Sequence, residues 1–174
     1  MAVVLVDAAQ AKPNEIAIRD SSLTMTWAEL NSAINRVVNN LKPRDLGPNR
    51  RIAVYAENSL ETALAHMAAL HAGLSSVPVN FHLTAAETAY ILGDSATAIV
   101  FVGPHTVDRA LEAAELVEAS GHARPSIVGW QIGAREGVVD WIEWVSGGPQ
   151  GDPPTSTVPL PNLLYTSGTT GLPK

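Results

Sequence analysis

The stretch RIAVYAENSLETALAHMAALHAGLSSVPVN, residues 51–80, changes its periodicity twice. Arg51–Ala56 reads as a short strand. Ser59–Ala72 carries Leu60, Ala63, Leu64, Met67 and Leu70 at helical spacing and ends at Gly73. Ser76–Asn80 returns to a strand with Pro78 inside it. A proline nitrogen cannot donate to a ladder, so this strand is predicted at an edge or as irregular.

Downstream the alternation continues. Thr84-Ala-Ala-Glu87 has capping-box spacing and opens a helix to about Leu92. Thr97–Gly103 (TAIVFVG) is an apolar run suited to a strand covered on both faces. Val107–Ala119 is an amphipathic helix and Ser126–Trp130 another strand. Strands separated by helices at this spacing predict an α/β fold, a mostly parallel sheet flanked by helices. Upstream, a short helix ends before Pro13, and Glu15–Asp20 and Leu23–Met25 form a hairpin around Ser21-Ser22. A second capping box, Thr26-Trp-Ala-Glu29, opens a helix over Trp27–Leu41 with Leu30, Ile34, Val37, Val38 and Leu41 inward. Past Trp130 the pattern weakens: Val138–Val145 is predicted as a short helix. Ser146–Pro161, with three glycines and five prolines, reads as a linker or surface loop. Asn162–Thr166 resumes as a strand that feeds the terminal run.

The 174 residues, 46% hydrophobic and 16% charged, suffice for one sizeable core. The net charge of −6 goes against a nucleic-acid partner, and the three arginines between Arg44 and Arg51 fall in a Gly/Pro connector. Without cysteine there is neither a disulfide nor a thiolate metal site. The opening MAVVLVDAAQ lacks a basic flank and its apolar run is short, unlike a signal peptide or an integral membrane segment. A cytoplasmic protein is the default expectation.

The last ten residues, YTSGTTGLPK, crowd glycines and short hydroxyls together ahead of a lysine. Glycines let backbone N–H groups approach a polyanion, hydroxyls donate to the remaining oxygens, and Lys174 adds a positive charge. Each hydrogen bond to a charged oxygen contributes roughly 1.5–3 kcal/mol, so four or five hold a triphosphate. The run is not a Walker loop. Gly168 and Gly171 are three apart, and Pro173 pushes Leu172 toward an extended conformation instead of starting a helix at the lysine. A plain Gly/Ser/Thr hairpin is the competing reading of the composition alone.

In its order of residues, YTSGTTGLPK resembles the phosphate-binding signature of the adenylate-forming enzymes: acyl-CoA synthetases, luciferases and the adenylation domains of peptide synthetases. All ten positions fit. LTMTWAELNSAINRVVNNL and the stretch from Arg51 to Val102 resemble, more loosely, the family's early hairpin-and-helix and its first alternating segment. Phe81-His82 departs from the small or proline residue and following basic one that many relatives carry.

The resemblance implies that 1–174 is the N-terminal portion of the large AMP-binding domain. The remainder of the enzyme, with its adenine and acyl pockets and C-terminal domain, is absent from this chain. It further implies that ATP, with Mg²⁺, reacts with a carboxylic acid to give an acyl-adenylate, from which coenzyme A takes the acyl group. The resemblance assigns the β- and γ-phosphates to Thr166, Ser167, Gly168, Thr169, Thr170, Gly171 and Lys174, and no catalytic residue or metal ligand to this chain. An amino-acid adenylation domain or a non-catalytic nucleotide-binding module are the alternatives. The chain alone is expected to be inactive. Its end after Lys174, inside a binding loop, suggests proteolytic cleavage, with the remainder of the enzyme as a separate chain packed against this one.

Lesser features have plainer readings. His66 and His71 are five apart and miss the zinc-helix spacing. Asp140 and Glu143 beside Trp141 and Trp144 read as the wet face of a short helix over packed aromatics. Glu57-Asn58-Ser59 follows a strand, as ligand sites in parallel sheets do, but reads first as a helix N-cap.

Overall fold

The computed structural model describes residues 2–147, 151, 158 and 160–166, with backbone alone for 2–4. Helix α1 (Ala2–Ala11) leads into an antiparallel hairpin, β1 (Ile16–Arg19) and β2 (Thr24–Thr26). Helix α2 (Trp27–Leu41) follows. The alternating unit then runs β3 (Arg51–Tyr55), α3 (Leu60–His71), β4 (Ser75–Pro78), α4 (Ala85–Asp94), β5 (Ile99–Val102), α5 (Val107–Ala119) and β6 (Ser126–Gly129). It closes with β7 (Val138–Asp140) and α6 (Trp141–Ser146).

The helix starts obey local chemistry. Thr26 Oγ1 accepts the Glu29 N–H at 3.3 Å while Glu29 Oε2 accepts the Thr26 N–H at 2.8 Å, and Thr84 and Glu87 repeat the exchange. In α2 all five residues expected inward are buried, and Asn35 joins them. Asp20, in the hairpin turn, accepts from the Ser22, Leu23 and Leu60 amides, so one carboxylate closes the turn and caps the first turn of α3. Those backbone donors hold its acid form down to about 2.

The five strands pair in the order β4-β3-β5-β6-β7, all parallel. Strand alternation divides the core into two layers. Ile52, Val54, Ile99, Phe101 and Val128 face α2, α3 and α6; Ala53, Tyr55, Val100, Val102 and Ile127 face α4 and α5. All of β5 is buried, as an apolar central strand requires. Strand β4, with Pro78, lies at the edge of the described sheet.

Three expectations need correction. The buried seam of α3 is Leu60, Glu61, Leu64, Ala65, Ala68 and Ala69, while Ala63, Met67 and Leu70 are only half-buried. Leu60 and Leu64 are buried as expected, and the small Ala65, Ala68 and Ala69, not Met67 and Leu70, complete the seam. The helix expected over Val138–Val145 begins only at Trp141, because Val138–Asp140 pairs with β6 as β7. Residues Asn162–Thr166 form no strand. Ser75 and Val79 donate their amides to β3, to the Arg50 and Val54 carbonyls, so the intervening Pro78 points its nitrogen outward and offers no donor. One backbone bond, from Leu163 N to Ser76 O at 3.0 Å, is what the segment makes with β4.

Gly129 shows how tightly β6 is packed. A Cβ there meets Ile132 Cδ1 at 2.7 Å, Val102 Cγ2 at 3.1 Å and Val138 Cγ1 at 3.3 Å. The isoleucine tip can swing away, but both valines are stiff at χ1 and belong to the neighbouring strands. Gly129→Ala in the full-length polypeptide is therefore expected to cost about 1–3 kcal/mol, read from denaturant midpoints. A midpoint equal to the parent's would show that both flanking strands yield freely.

Candidate functional site

The chain reaches its terminal run through Pro161–Thr166, which lies along β4 and is tied to it and to α4. Ser75 Oγ donates to the Pro161 carbonyl at 2.7 Å. The Leu163 amide donates to Ser76 O, and the Tyr165 hydroxyl donates to Asp94 Oδ2 at 2.5 Å. Leu163 and Tyr165 pack on the cluster that covers the α4/α5 side of the sheet. Burial, and then the Asp94 carboxylate, push the Tyr165 hydroxyl well above the usual phenol range, so it remains a donor. Arg51 reaches the same corner: its Nη1 donates to Ser95 O at 2.8 Å, one residue past Asp94.

Thr166 is exposed at the end of this segment. Of the residues expected to bind phosphate, Ser167, Gly168, Thr169, Thr170, Gly171 and Lys174 lie outside the described residues. What the structure does place is the approach: the backbone entering the run is held against β4 and α4.

The opposite feature of interest is the crevice at the carboxyl ends of β3 and β5. Here the strand order reverses, β3 connecting outward to β4 and β5 to β6, which is where open parallel sheets place ligands. Ser59 caps α3, as expected, accepting the Thr62 amide at 3.2 Å. Glu57 Oε1 and Glu61 Oε2 are buried without a protein donor, and Gln131 Nε2 reaches Glu61 Oε1 at 3.3 Å. Gln131 holds φ at +57°, a region few non-glycine residues adopt. Beside them Tyr55 donates to Leu83 O, and Arg109 joins Tyr55 Oη to the Phe81 carbonyl. Phe81 thus helps fix the connection between β4 and α4 through its backbone.

The minor candidates resolve structurally. His66 shares a hydrogen bond with Ser76 Oγ at 2.8 Å, and burial lowers its pKa, as it does that of His71. Asp140 caps α6, accepting the Ile142 and Glu143 amides, while Trp141 and Trp144 are buried beneath. No group of three His, Asp or Glu side chains converges as a metal ligand set among the described residues. Among the same residues, no helix is long and apolar enough to cross a membrane. The sequence reading missed Asp94. An acid in the last turn of a helix opposes the dipole, and that mismatch is the signal that marks it.

A family model described as AMP-binding enzyme matches residues 5–174. The fatty acid–[acyl-carrier-protein] ligase ScoC of Streptomyces coeruleorubidus is 31% identical over 167 residues, which cover 95% of this chain and 30% of that protein. Tyrocidine synthase 3 of Brevibacillus parabrevis is 28% identical over 166 residues, covering 93% of this chain and 2% of that protein. The fold resembles that of the anthranilate CoA ligase AuaEII in complex with anthranoyl-AMP, with a TM-score of 0.83 at 23% identity over 99% of this chain and 33% of that one. The chain therefore spans a third or less of these proteins.

Proposed function

Because the chain belongs to the AMP-binding enzyme family, we propose that the whole protein activates a carboxylic acid with ATP and passes the acyl group to coenzyme A. In the first step a carboxylate oxygen attacks the α-phosphorus of ATP. The bond to the bridging oxygen breaks, and acyl-adenylate and pyrophosphate result. In the second a thiol sulfur attacks the acyl carbon and AMP leaves. Residues 166–174 supply the contacts to the β- and γ-phosphates. Negative charge grows on the departing pyrophosphate, so fixed donors there stabilise the transition state more than the ground state.

The observation that supports this reading is the unbroken match of Tyr165–Lys174 to the phosphate-binding signature, within a family match that spans 5–174. The described residues offer no protein cage for Mg²⁺, so no step is assigned to that ion. An ion accompanying ATP keeps phosphate oxygens and waters as its ligands. A cytoplasmic setting, where ATP and coenzyme A are both supplied, belongs to the same proposal.

A second reading keeps the adenylation and changes the acceptor. ScoC is named as a ligase to an acyl-carrier protein, and tyrocidine synthase 3 as a synthase, which favours weighing a carrier-bound thiol or an amino-acid substrate against coenzyme A. Pyrophosphate exchange by the full-length polypeptide, over a panel of carboxylic and amino acids, tests the first step. Coenzyme A and a phosphopantetheinylated carrier, offered to the preformed adenylate, separate the acceptors. Exchange with at least one acid is expected, and none from residues 1–174 alone, since the loop is one part of the ATP site. No exchange with any acid by the full-length polypeptide would overturn the proposal.

A further inference from the structure

We propose that the groove between α4 and α5 is a docking surface for a basic amphipathic helix of a partner protein. Both helices cover the same side of the sheet, and between their outer faces lies a hollow of about 470 Å³. Ala86, Ala89, Tyr90 and Gly93 line it from α4, and Leu116 and Ser120 from α5. The small side chains of α4 keep its floor low. Tyr90 and Leu116, 37% and 41% exposed, leave large apolar surface at its walls. An open apolar groove between two helices has the shape that receives the apolar stripe of a third.

Charge decides the chemistry of the occupant. Helices α4 and α5 hold six acidic side chains and one base, Arg109. They therefore carry most of the chain's net charge of −6. Arg109 is turned to Tyr55 Oη and the Phe81 carbonyl. Towards the two ends of α5, Asp108 pairs with Arg135 and Glu118 with Arg124. Glu87, Asp94, Glu112 and Glu115 are exposed and have no basic partner among the described residues. Helical spacing sets these four along the groove. Glu87 and Asp94 stand three residues before and four after Tyr90, and Asp94 itself lines the hollow. Glu112 stands one turn before Leu116, and Glu115 is next to it. Both walls are thus acidic over an apolar floor. A helix with an apolar stripe flanked by Lys and Arg matches walls and floor together.

Two other occupants match less well. A second copy of this chain would bring the same acidic walls against each other in a two-fold contact. The residues outside the description hold one base, Lys174, and no apolar run at helical spacing, so they supply no such helix. The docking surface does not depend on the function proposed above.

The test titrates the full-length polypeptide into a fluorescein-labelled synthetic helix, roughly 18 residues long, with leucines on one face and lysines on the other. A second peptide keeps the leucines and carries glutamate in place of each lysine. Fluorescence anisotropy should show micromolar binding of the lysine peptide, weakening about tenfold as salt rises from about 0.05 to 0.5 M. The glutamate peptide should bind at least about tenfold more weakly. Leu116→Lys sets a like charge against the peptide from an exposed position, and should weaken binding about tenfold at an unchanged melting temperature. Tyr90→Ser, which removes apolar wall instead, is expected to cost a similar factor. Glu112→Gln with Glu115→Gln should cost about fivefold and flatten the salt dependence. Ile142→Lys, at an exposed residue of α6 on the other side of the sheet, should leave binding unchanged. Amide hydrogen exchange in the complex should slow in α4 and α5. Binding that both Leu116→Lys and Tyr90→Ser leave at the parent's strength would overturn the proposal. Equal affinity for the two peptides, or no binding by the parent, would do the same. A dimer in sedimentation velocity that Leu116→Lys disrupts would give the groove to a second copy, and that too would overturn it.

Discussion

Replacing Lys174 by alanine in the full-length polypeptide is expected to slow adenylate formation about 10²–10³-fold, with little change in melting temperature. The magnitude is that of removing one preorganised electrostatic contact from a group that gains charge in the transition state. Pyrophosphate leaves with more negative charge than it carried in ATP. On the proposed function, the Lys174 ammonium therefore contributes more at the transition state than in the bound substrate. The loss should fall mainly on kcat for pyrophosphate exchange. Lys174→Arg should recover part of the rate, because it keeps the charge but changes its shape and reach. Thr166→Ala, losing one hydroxyl from an exposed position, should cost roughly tenfold. Unchanged exchange kinetics in both alanine variants would remove this run from the mechanism.

The parts of this fold that could be read from sequence are those governed by near neighbours. Both capping boxes need residues three apart, and both form. Helix α2 declares its buried side because Leu30, Ile34, Val37, Val38 and Leu41 are large and spaced for one face. Helix α3 declares it only in part: Leu60 and Leu64 are buried as expected, but the weak hydrophobic signal of Ala65, Ala68 and Ala69 is outweighed by Met67 and Leu70 at the margin. Strand β7 was hidden by its length, three residues whose identity as strand depends on β6 being alongside. The strand expected at Asn162–Thr166 fails for a reason equally invisible locally, the outward nitrogen of Pro78 on the facing edge.

The site divides in the same way. The residues proposed to bind phosphate are contiguous and were legible as a motif. The hydrogen bond from Tyr165 to Asp94 joins residues far apart in the chain. Nothing in the neighbourhood of Tyr165 names Asp94, and only folding brings α4 to the segment. The dipole mismatch at Asp94 is a local clue, but it marks an anomaly without supplying the partner. The same is true of Glu57 and Glu61, whose buried oxygens appear only once β3, α3 and β6 have assembled.

Phe101→Ala should lower the stability of the full-length polypeptide by about 3–5 kcal/mol, the range for a large side chain removed from a well-packed interior. Phe101 is fully buried in β5, the middle strand of the five. Its ring meets Trp141 edge-on at 5.8 Å and Trp144 edge-on at 5.4 Å, and Trp141 in turn meets Trp130 at 5.8 Å. Alanine removes the ring that two indoles rest on, and these are carried by α6, which also packs on α2, where Asn40 Nδ2 reaches the Val145 carbonyl at 3.5 Å and Arg44 lies over the Trp144 ring. Closing the void requires Trp141 and Trp144 to move toward β5. Phe101→Leu keeps most of the volume and should cost less than half as much. Indole fluorescence reads the change directly, since Trp141 and Trp144 lie at the cavity wall. A loss below about 1 kcal/mol would show that the aromatic cluster collapses into the space. Phe101 faces α2, α3 and α6, whereas Leu163 and Tyr165 pack on the other face of the sheet. At a temperature where the variant remains folded, its KM for ATP should therefore equal the parent's.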